Sequence, residues 1–355
     1  MLWIMGLGTV WMKTVLALGG SEAGFFFRQM THPAWHGFAF LDTVFPTFIF
    51  IAGIAFPFSL ASQRARGMST DATVRKILCR MLMLFLLGFV YNGALANGPL
   101  NTVWGSVLSR IGIAWGGAAL LTVFLGVRTR AVFCSVILLV YWVVSVTVSA
   151  PDRPGAAPLA IEGCLAGWVD RMVLPGRLTI PGVLSAQGVL SSFPSVVTAM
   201  LGVFVGEYVR DGKGSGERKT VVLFVSALGL LVGAFVVAYG FGRWSFPFNK
   251  QLWSTSFALL VGAYSTALFA TCYFLVDVKG WWRHTLFLRV IGLNALAIYL
   301  IQDLVGLDIA KRVFFGWISS FFPDGWAAVV LETGYFLIGW VLLYWLYRRK
   351  IFIKV

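Results

Sequence analysis

The sequence predicts an all-α integral membrane protein, a polytopic bundle of about ten transmembrane helices with both termini cytoplasmic. Three observations carry this expectation. Of the 355 residues, 59% are hydrophobic and 12% charged, with a mean hydropathy of +0.85. Such a chain has too little polar surface to wrap a soluble core. Apolar stretches of roughly 20 residues recur along it, the extent a helix needs to cross about 30 Å of hydrocarbon with every backbone group paired. Lys and Arg gather in short clusters after every second stretch, the distribution that sets orientation in a bilayer. The net charge of +14 therefore reads as topology and excludes nucleic acid as a partner.

The spans are placed near residues 2–18, 40–62, 76–94, 108–126, 131–149, 193–209, 220–240, 254–276, 286–304 and 326–347. The first is short and contains Lys13. Arg64, Arg66, Arg75, Lys76 and Arg80 follow the second span, Arg128 and Arg130 the fourth, and Arg210, Lys213, Arg218 and Lys219 the sixth. Lys279 and Arg283 follow the eighth, and Arg348, Arg349, Lys350 and Lys354 close the chain. With these clusters cytoplasmic, the His32 loop and the loops 150–192, 241–253 and 305–325 face the other side of an inner, cytoplasmic membrane. The Pro- and Gly-rich 150–192 stretch is too long for a plain connector and reads as a lid, binding loop or re-entrant element. Cys79, Cys134 and Cys272 fall in apolar segments and Cys164 in that loop, with no pairing pattern, and no removable signal peptide is expected.

The stretch FFFRQMTHPAWHGFAFLDTVFPTF places His32, His36 and Asp42 together at the outer mouth of the second span. His32 precedes Pro33, which favours extended backbone there and a short turn after it. A neutral imidazole suits a general base or an acyl-holding nucleophile, and equally an interfacial hydrogen bond to headgroups. His36 is expected to line a pocket or cap the turn; two imidazoles without a third ligand nearby make a poor metal site, and no metal is expected. Asp42 is suited to cap the helix start and also to orient an imidazole. Pro46, one turn further, would loosen the helix beside the loop.

Other polar groups stand at helix ends: Asn92 in VYNG, Arg110 in VLSRIGIAW and Asn294 in GLNALAIY. Polar side chains at membrane depth face the bundle interior or a wet cavity. Glu332 and Arg289 are candidates for a pair. In WSFPFNKQLWSTSF, aromatic rings flanked by Asn249, Lys250, Trp253 and Ser256 suit a sugar or a pantetheine arm, or an ordinary aromatic belt. The cluster of Arg64, Arg66 and Arg80 suits phosphates as well as topology.

The string His32, Pro33, Ala34, Trp35, His36, Gly37, followed by Leu41, Asp42, Val44, Phe45 and Pro46, resembles the His-x-x-Trp-x-Gly…Asp-x-x-Phe-Pro pattern of the heparan-alpha-glucosaminide N-acetyltransferase family and its bacterial DUF5009-type relatives. LLGFVYNG, VLSRIGIAW, GVLSSFPSVVTAMLGVFVGE, FPFNKQLWSTSFALLVGA and LRVIGLNALAIYL follow in the same order and extend the resemblance over most of the chain. It implies a single transmembrane acyltransferase domain over residues 1–355. Its acetyl donor would be cytoplasmic acetyl-CoA, its acceptor an amino sugar, or a sugar hydroxyl, on the far side. His32 matches the His that the family ties to acetyl transfer, with Asp42 beside it. Two departures stand out. The family's opening Arg-Leu-x-Ser-x-Asp-x-x-Arg-Gly is not in this sequence, and Gln187 stands where relatives carry Pro-Glu-Gly.

The resulting expectation is acetylation of an exported glycan or glycolipid. Catalysis falls to His32 and Asp42, acceptor binding to Trp35, His36, Asn249, Lys250, Trp253, Ser256 and Asn294, and donor binding to Arg110, Asn92, Arg64, Arg66 and Arg80. Partners are membrane lipids, acetyl-CoA and the sugar, and a homodimer is compatible with all of this. The competing expectations are a secondary transporter or flippase for a sugar-linked or anionic substrate, which requires inverted repeats and broken helices, and a catalytically inactive member of the family.

Overall fold

The computed structural model describes residues 1–302 and 306–353. The end of the ninth predicted span (Asp303 and Leu304), Val305 at the start of the following loop, and Lys354 of the closing basic cluster lie outside the described residues. Among the described residues the regular structure is helical, without a named strand. A π-helical turn, Trp3–Leu7, leads into α1 (Gly8–Ala17); α2 (Leu41–Ala65), α3 (Thr70–Tyr91), α4 (Val107–Phe124) and α5 (Val127–Thr147) follow. Then come a short α6 (Leu165–Val173) inside the long loop, α7 (Ser192–Asp211), α8 (Gly216–Tyr239) and α9 (Thr255–Tyr273). The chain closes with α10 (Leu286–Leu293), α11 (Ala295–Ile301), α12 (Asp308–Ser319) and α13 (Asp324–Arg348).

Each predicted span coincides with helix, but only seven of these helices are long and apolar enough to cross a membrane, or eight if α10 and α11, bent by 51°, make one span. The difference has local causes. Arg75, Lys76 and Arg80 lie within α3, Trp3–Ala17 is a short apolar helix, and the ninth span breaks at Asn294. Helix starts follow capping chemistry. Ser69 accepts a hydrogen bond from Ala72 N at 3.2 Å, Ser106 and Ser109 form a reciprocal capping box, and Ser254 caps α9 through Phe257 N.

The chain divides into two compact units. The larger holds Ala34–Phe38 and Phe45–Phe274. Its core is built from Phe45, Ile49, Val197, Met200, Trp253 and Phe257. Helices α2 and α7 meet there backbone to backbone: a Cβ on Gly53 would overlap Ala199 O, one on Gly202 would overlap Phe50 O, and one on Gly206 would overlap Ile54 O. Small residues at such crossings let helices approach where lipid supplies no hydrophobic drive between them.

The smaller unit holds Met1–Pro33, Ala39–Val44 and Leu275–Val355. Met5, Val290, Ile298, Phe336 and Leu343 form its core. Lys311 on α12 reaches Asp308 and Glu332, each at 2.8 Å. Glu332 therefore pairs with Lys311 and not with Arg289, because α12 packs along α13 and presents the lysine to it.

Candidate functional site

In the smaller unit, His32 Nδ1 lies 2.7 Å from Asp42 Oδ1. The loop makes this approach possible. Gln29 O accepts from Leu41 N and Gln29 Oε1 accepts from Phe40 N, each at 3.0 Å, which folds the segment before His32 back onto the start of α2. Asp42 is buried, and its second oxygen accepts from Ala39 N at 3.0 Å, so one carboxylate both fixes the helix entrance and holds the imidazole. A carboxylate only accepts, so Nδ1 carries the hydrogen and Nε2 is the basic nitrogen. The His32 side chain is 53% exposed against 1% for Asp42: the ring is reachable and its orienting group is not.

In the larger unit, the carbonyl of Leu159, from the long loop, accepts from Trp35 Nε1 at 2.8 Å and lies 3.1 Å from His36 Nε2. His36 Nδ1 lies 3.3 Å from Asn249 Nδ2. Asn249 Oδ1 accepts from Leu252 N at 2.9 Å, which turns the amide nitrogen toward the ring. An amide nitrogen only donates, so Nδ1 accepts and Nε2–H donates to Leu159 O, which fixes a neutral tautomer. Partial desolvation, opposed by the Leu159 hydrogen bond, holds the His36 imidazole below the ordinary 6.5. Phe38 and Phe248 meet edge to face at 6.3 Å beside this cluster.

Behind Asn249, Trp253 is fully buried in a left-handed conformation (φ 52°) and donates from Nε1 to Thr198 Oγ1 at 3.1 Å. Its indole lies 5.0 Å from the guanidinium carbon of Arg110, a cation–π arrangement. Arg110 Nη2 donates to Ser191 Oγ and, at 3.4 Å, to Gly188 O. Ser256 is buried and donates to Phe246 O at 2.5 Å, so it shapes the loop before α9.

A cavity of about 500 Å³ opens in the same unit between the ends of α2, α4 and α7 and the start of α5. Arg64, Arg130, Glu207 and Arg210 supply its charges. Arg130 binds both oxygens of Glu207, at 2.9 and 3.1 Å, and reaches Thr122 Oγ1 at 3.2 Å. Arg210 donates to Pro57 O. Arg210 also binds both oxygens of Asp211, from Nε at 2.7 Å and from Nη2 at 2.5 Å, and Arg130 is spent on Glu207, so Arg64 carries the excess positive charge that an oxyanion such as a phosphate would meet here.

The predicted donor residues do not converge. Arg64 lines the cavity, whereas Arg66 folds back on Ser62 O and Arg80 lies 4.3 Å over the Trp115 ring. Arg110 is in the first turn of α4, twelve residues before Thr122 of the cavity, about 18 Å along the helix. Asn92 clamps Val103 O at 2.8 Å and Gly105 O at 3.2 Å. Asn294, in the smaller unit, uses its amide on Ile351 O and Ile353 N, which pins the C-terminal tail.

Glu207 and Asp170 escaped the sequence reading, and Arg130 entered it only as a topology charge. Glu207 and Arg130 stand in apolar helices, where an ionisable residue marks a pair or a site, and that signal was available. Asp170 was not legible: its buried carboxylate accepts from Ser185 N at 3.0 Å and Val189 N at 2.8 Å across the long loop. Burial raises the Asp170 pKa, opposed by these two donors and by the charges of Arg110 and Arg171.

Over 95% of its length the chain is 26% identical to the Homo sapiens protein heparan-alpha-glucosaminide N-acetyltransferase, and 25% identical over the same share to the Mus musculus protein of that name. It spans 57% of the length of each of these curated relatives. No family model matches the chain, so the DUF5009 resemblance gains no support.

Proposed function

We propose that this chain, a distant member of the heparan-alpha-glucosaminide N-acetyltransferase family by similarity along 95% of its length, is a transmembrane acetyltransferase. Its donor is cytoplasmic acetyl-CoA and its acceptor is an amine or hydroxyl of a sugar on the extracytoplasmic side. The observation that carries the reading is the hydrogen bond from His32 to buried Asp42 at 2.7 Å, on the residues where the family motif predicts them.

The chemistry follows from that bond. With Nδ1–H held by Asp42, Nε2 removes the proton from the acceptor nitrogen or oxygen while that atom attacks the thioester carbonyl. The C–S bond breaks and the thiolate takes the proton back from the imidazolium. If His32 instead attacks first, Nε2 displaces the CoA thiolate and holds the acetyl group; the sugar nitrogen or oxygen then attacks that carbonyl, the Nε2–C bond breaks, and the freed imidazole takes the acceptor's proton. Asp42 stabilises the imidazolium in either sequence. Within the larger unit, Trp35, His36 and Lys250 are the groups open to an acceptor, while buried Asn249 and Trp253 hold His36 and the loop in place behind them. The cavity lined by Arg64, with Arg130 held by Glu207 and Arg210 by Asp211, offers Arg64 as a hold for the donor's phosphates, and the basic loops around it are those the topology assigns to the cytoplasm.

Purified protein in detergent, given labelled acetyl-CoA and glucosamine, tests this. Saturable acetyl-CoA binding with transfer in the wild type, and retained fold without transfer in His32→Ala, is the expected result; full transfer by His32→Ala would refute the assignment. A transporter reading draws on one feature, the 51° break between α10 and α11. At that break Asn294 binds the chain's own Ile351 and Ile353, which accounts for its amide without a transported substrate.

A further inference from the structure

Arg110 is 1% exposed, and among the described residues its Nε and Nη1 have no hydrogen-bond partner. One N–H on Nε and two on Nη1 are therefore unused donors on a buried cation. Leaving such donors unsatisfied is costly, so the position calls for an acceptor that the protein itself does not supply. The surroundings say what kind. Asp170 interacts with Arg110 through charge and accepts from Ser185 N and Val189 N, but among the described residues no hydrogen bond joins it to Arg110. Asp170 therefore balances the charge of Arg110 without filling its donors. A second anion would leave the buried pair with a net negative charge, whereas uncharged oxygens would satisfy the donors and leave the balance intact.

The position is also built. Nη2 is anchored on Ser191 Oγ and Gly188 O, and the guanidinium plane is backed by the Trp253 indole at 5.0 Å. Gly188 has no room for a side chain, because a Cβ there would overlap the Asp170 carboxylate, so the 185–189 turn is held tightly against Asp170 and brings Gly188 O to Arg110 Nη2. Trp253 continues through Leu252 to Asn249 and from there to His36, so Arg110 is joined through directly bonded neighbours to the surface assigned above to the acceptor.

We propose that Arg110 is a specificity-determining residue, whose Nε and Nη1 donors receive neutral hydroxyl oxygens of the acceptor sugar. The proposal rests on the acyltransferase reading for the role of that sugar, but its test needs no transfer. Calorimetry on the detergent-solubilised full chain would compare methyl glucosaminide with its 3-deoxy, 4-deoxy and 6-deoxy analogues and with glucosamine 6-phosphate. In the wild type, at least one deoxy analogue is expected to bind roughly 10- to 100-fold more weakly than the parent, the range for a hydrogen bond to a charged group. The 6-phosphate gains nothing over the parent. In Arg110→Gln the deoxy-to-parent ratio falls toward one; Arg110→Lys, which keeps the charge but not the fork, reduces the ratio, and it preserves the test if the Gln variant fails to fold. Equal binding of all the analogues to the wild type, no sugar binding at all, a deoxy penalty that survives in both variants, or a tenfold preference for the phosphate would each overturn the proposal. The first of these indicates that the Arg110 donors are met by water only. Transfer to glucosaminide together with indifference to every hydroxyl sinks this inference alone; hydroxyl-dependent binding without any transfer sinks the acyltransferase reading alone.

Discussion

In the His32–Asp42 pair one buried carboxylate serves a helix entrance and an imidazole together. Its two oxygens are divided between Ala39 N and the imidazole. Asp42→Asn keeps the shape but loses the charge that favours imidazolium, so transfer should fall on the order of 100-fold or more, with the fold retained by circular dichroism. His36 behaves differently. Its folded pKa lies below the ordinary 6.5, so its contribution to stability is fully present above about 6.5 and is lost as pH falls through the lowered value. Thermal unfolding between pH 7.5 and 5 should therefore show a stability decline that is smaller in His36→Gln. An equal decline in both proteins would remove this role from His36. Both histidines were legible in the sequence because a membrane protein carries few titratable groups. The tautomer of His36 was not, since it depends on Leu159 and Asn249, which are 123 and 213 residues away.

At the scale of the element, hydropathy located helices well because crossing a bilayer imposes a length and an apolar composition. It failed at helix ends and breaks, where local chemistry decides. Ser69 starts α3 ahead of the apolar run, and Asn294 divides the ninth span through bonds to residues near the C-terminus. The α2–α7 crossing was also hidden, since Gly53, Gly202 and Gly206 take their meaning from the backbone they touch. Gly202→Leu should force α2 and α7 apart and destabilise the protein by about 3 kcal/mol or more, seen as a lowered unfolding temperature and aggregation in detergent. Wild-type behaviour of that variant would contradict the close crossing. Asp170→Ala removes the acceptor of two backbone N–H groups in the long loop and should cost about 1–3 kcal/mol, read as faster proteolysis within residues 150–192.

For the whole molecule, the basic residues cluster after every second apolar stretch, and Arg64, Arg130 and Arg210 of the cavity belong to three of those clusters. Arg64→Ala is expected to raise the KM for acetyl-CoA severalfold with little change in kcat, because it would hold the donor away from the reacting atoms; a fall in kcat at unchanged KM would place Arg64 elsewhere in the mechanism. The central claim is that acetyl crosses the membrane to a sugar under the control of His32. Proteoliposomes with labelled acetyl-CoA on one face and glucosaminide trapped on the other measure this directly. Labelled acetylated sugar is expected inside vesicles carrying the wild type and none with His32→Ala. Equal product in both, or movement of unacetylated sugar across the membrane, would contradict it.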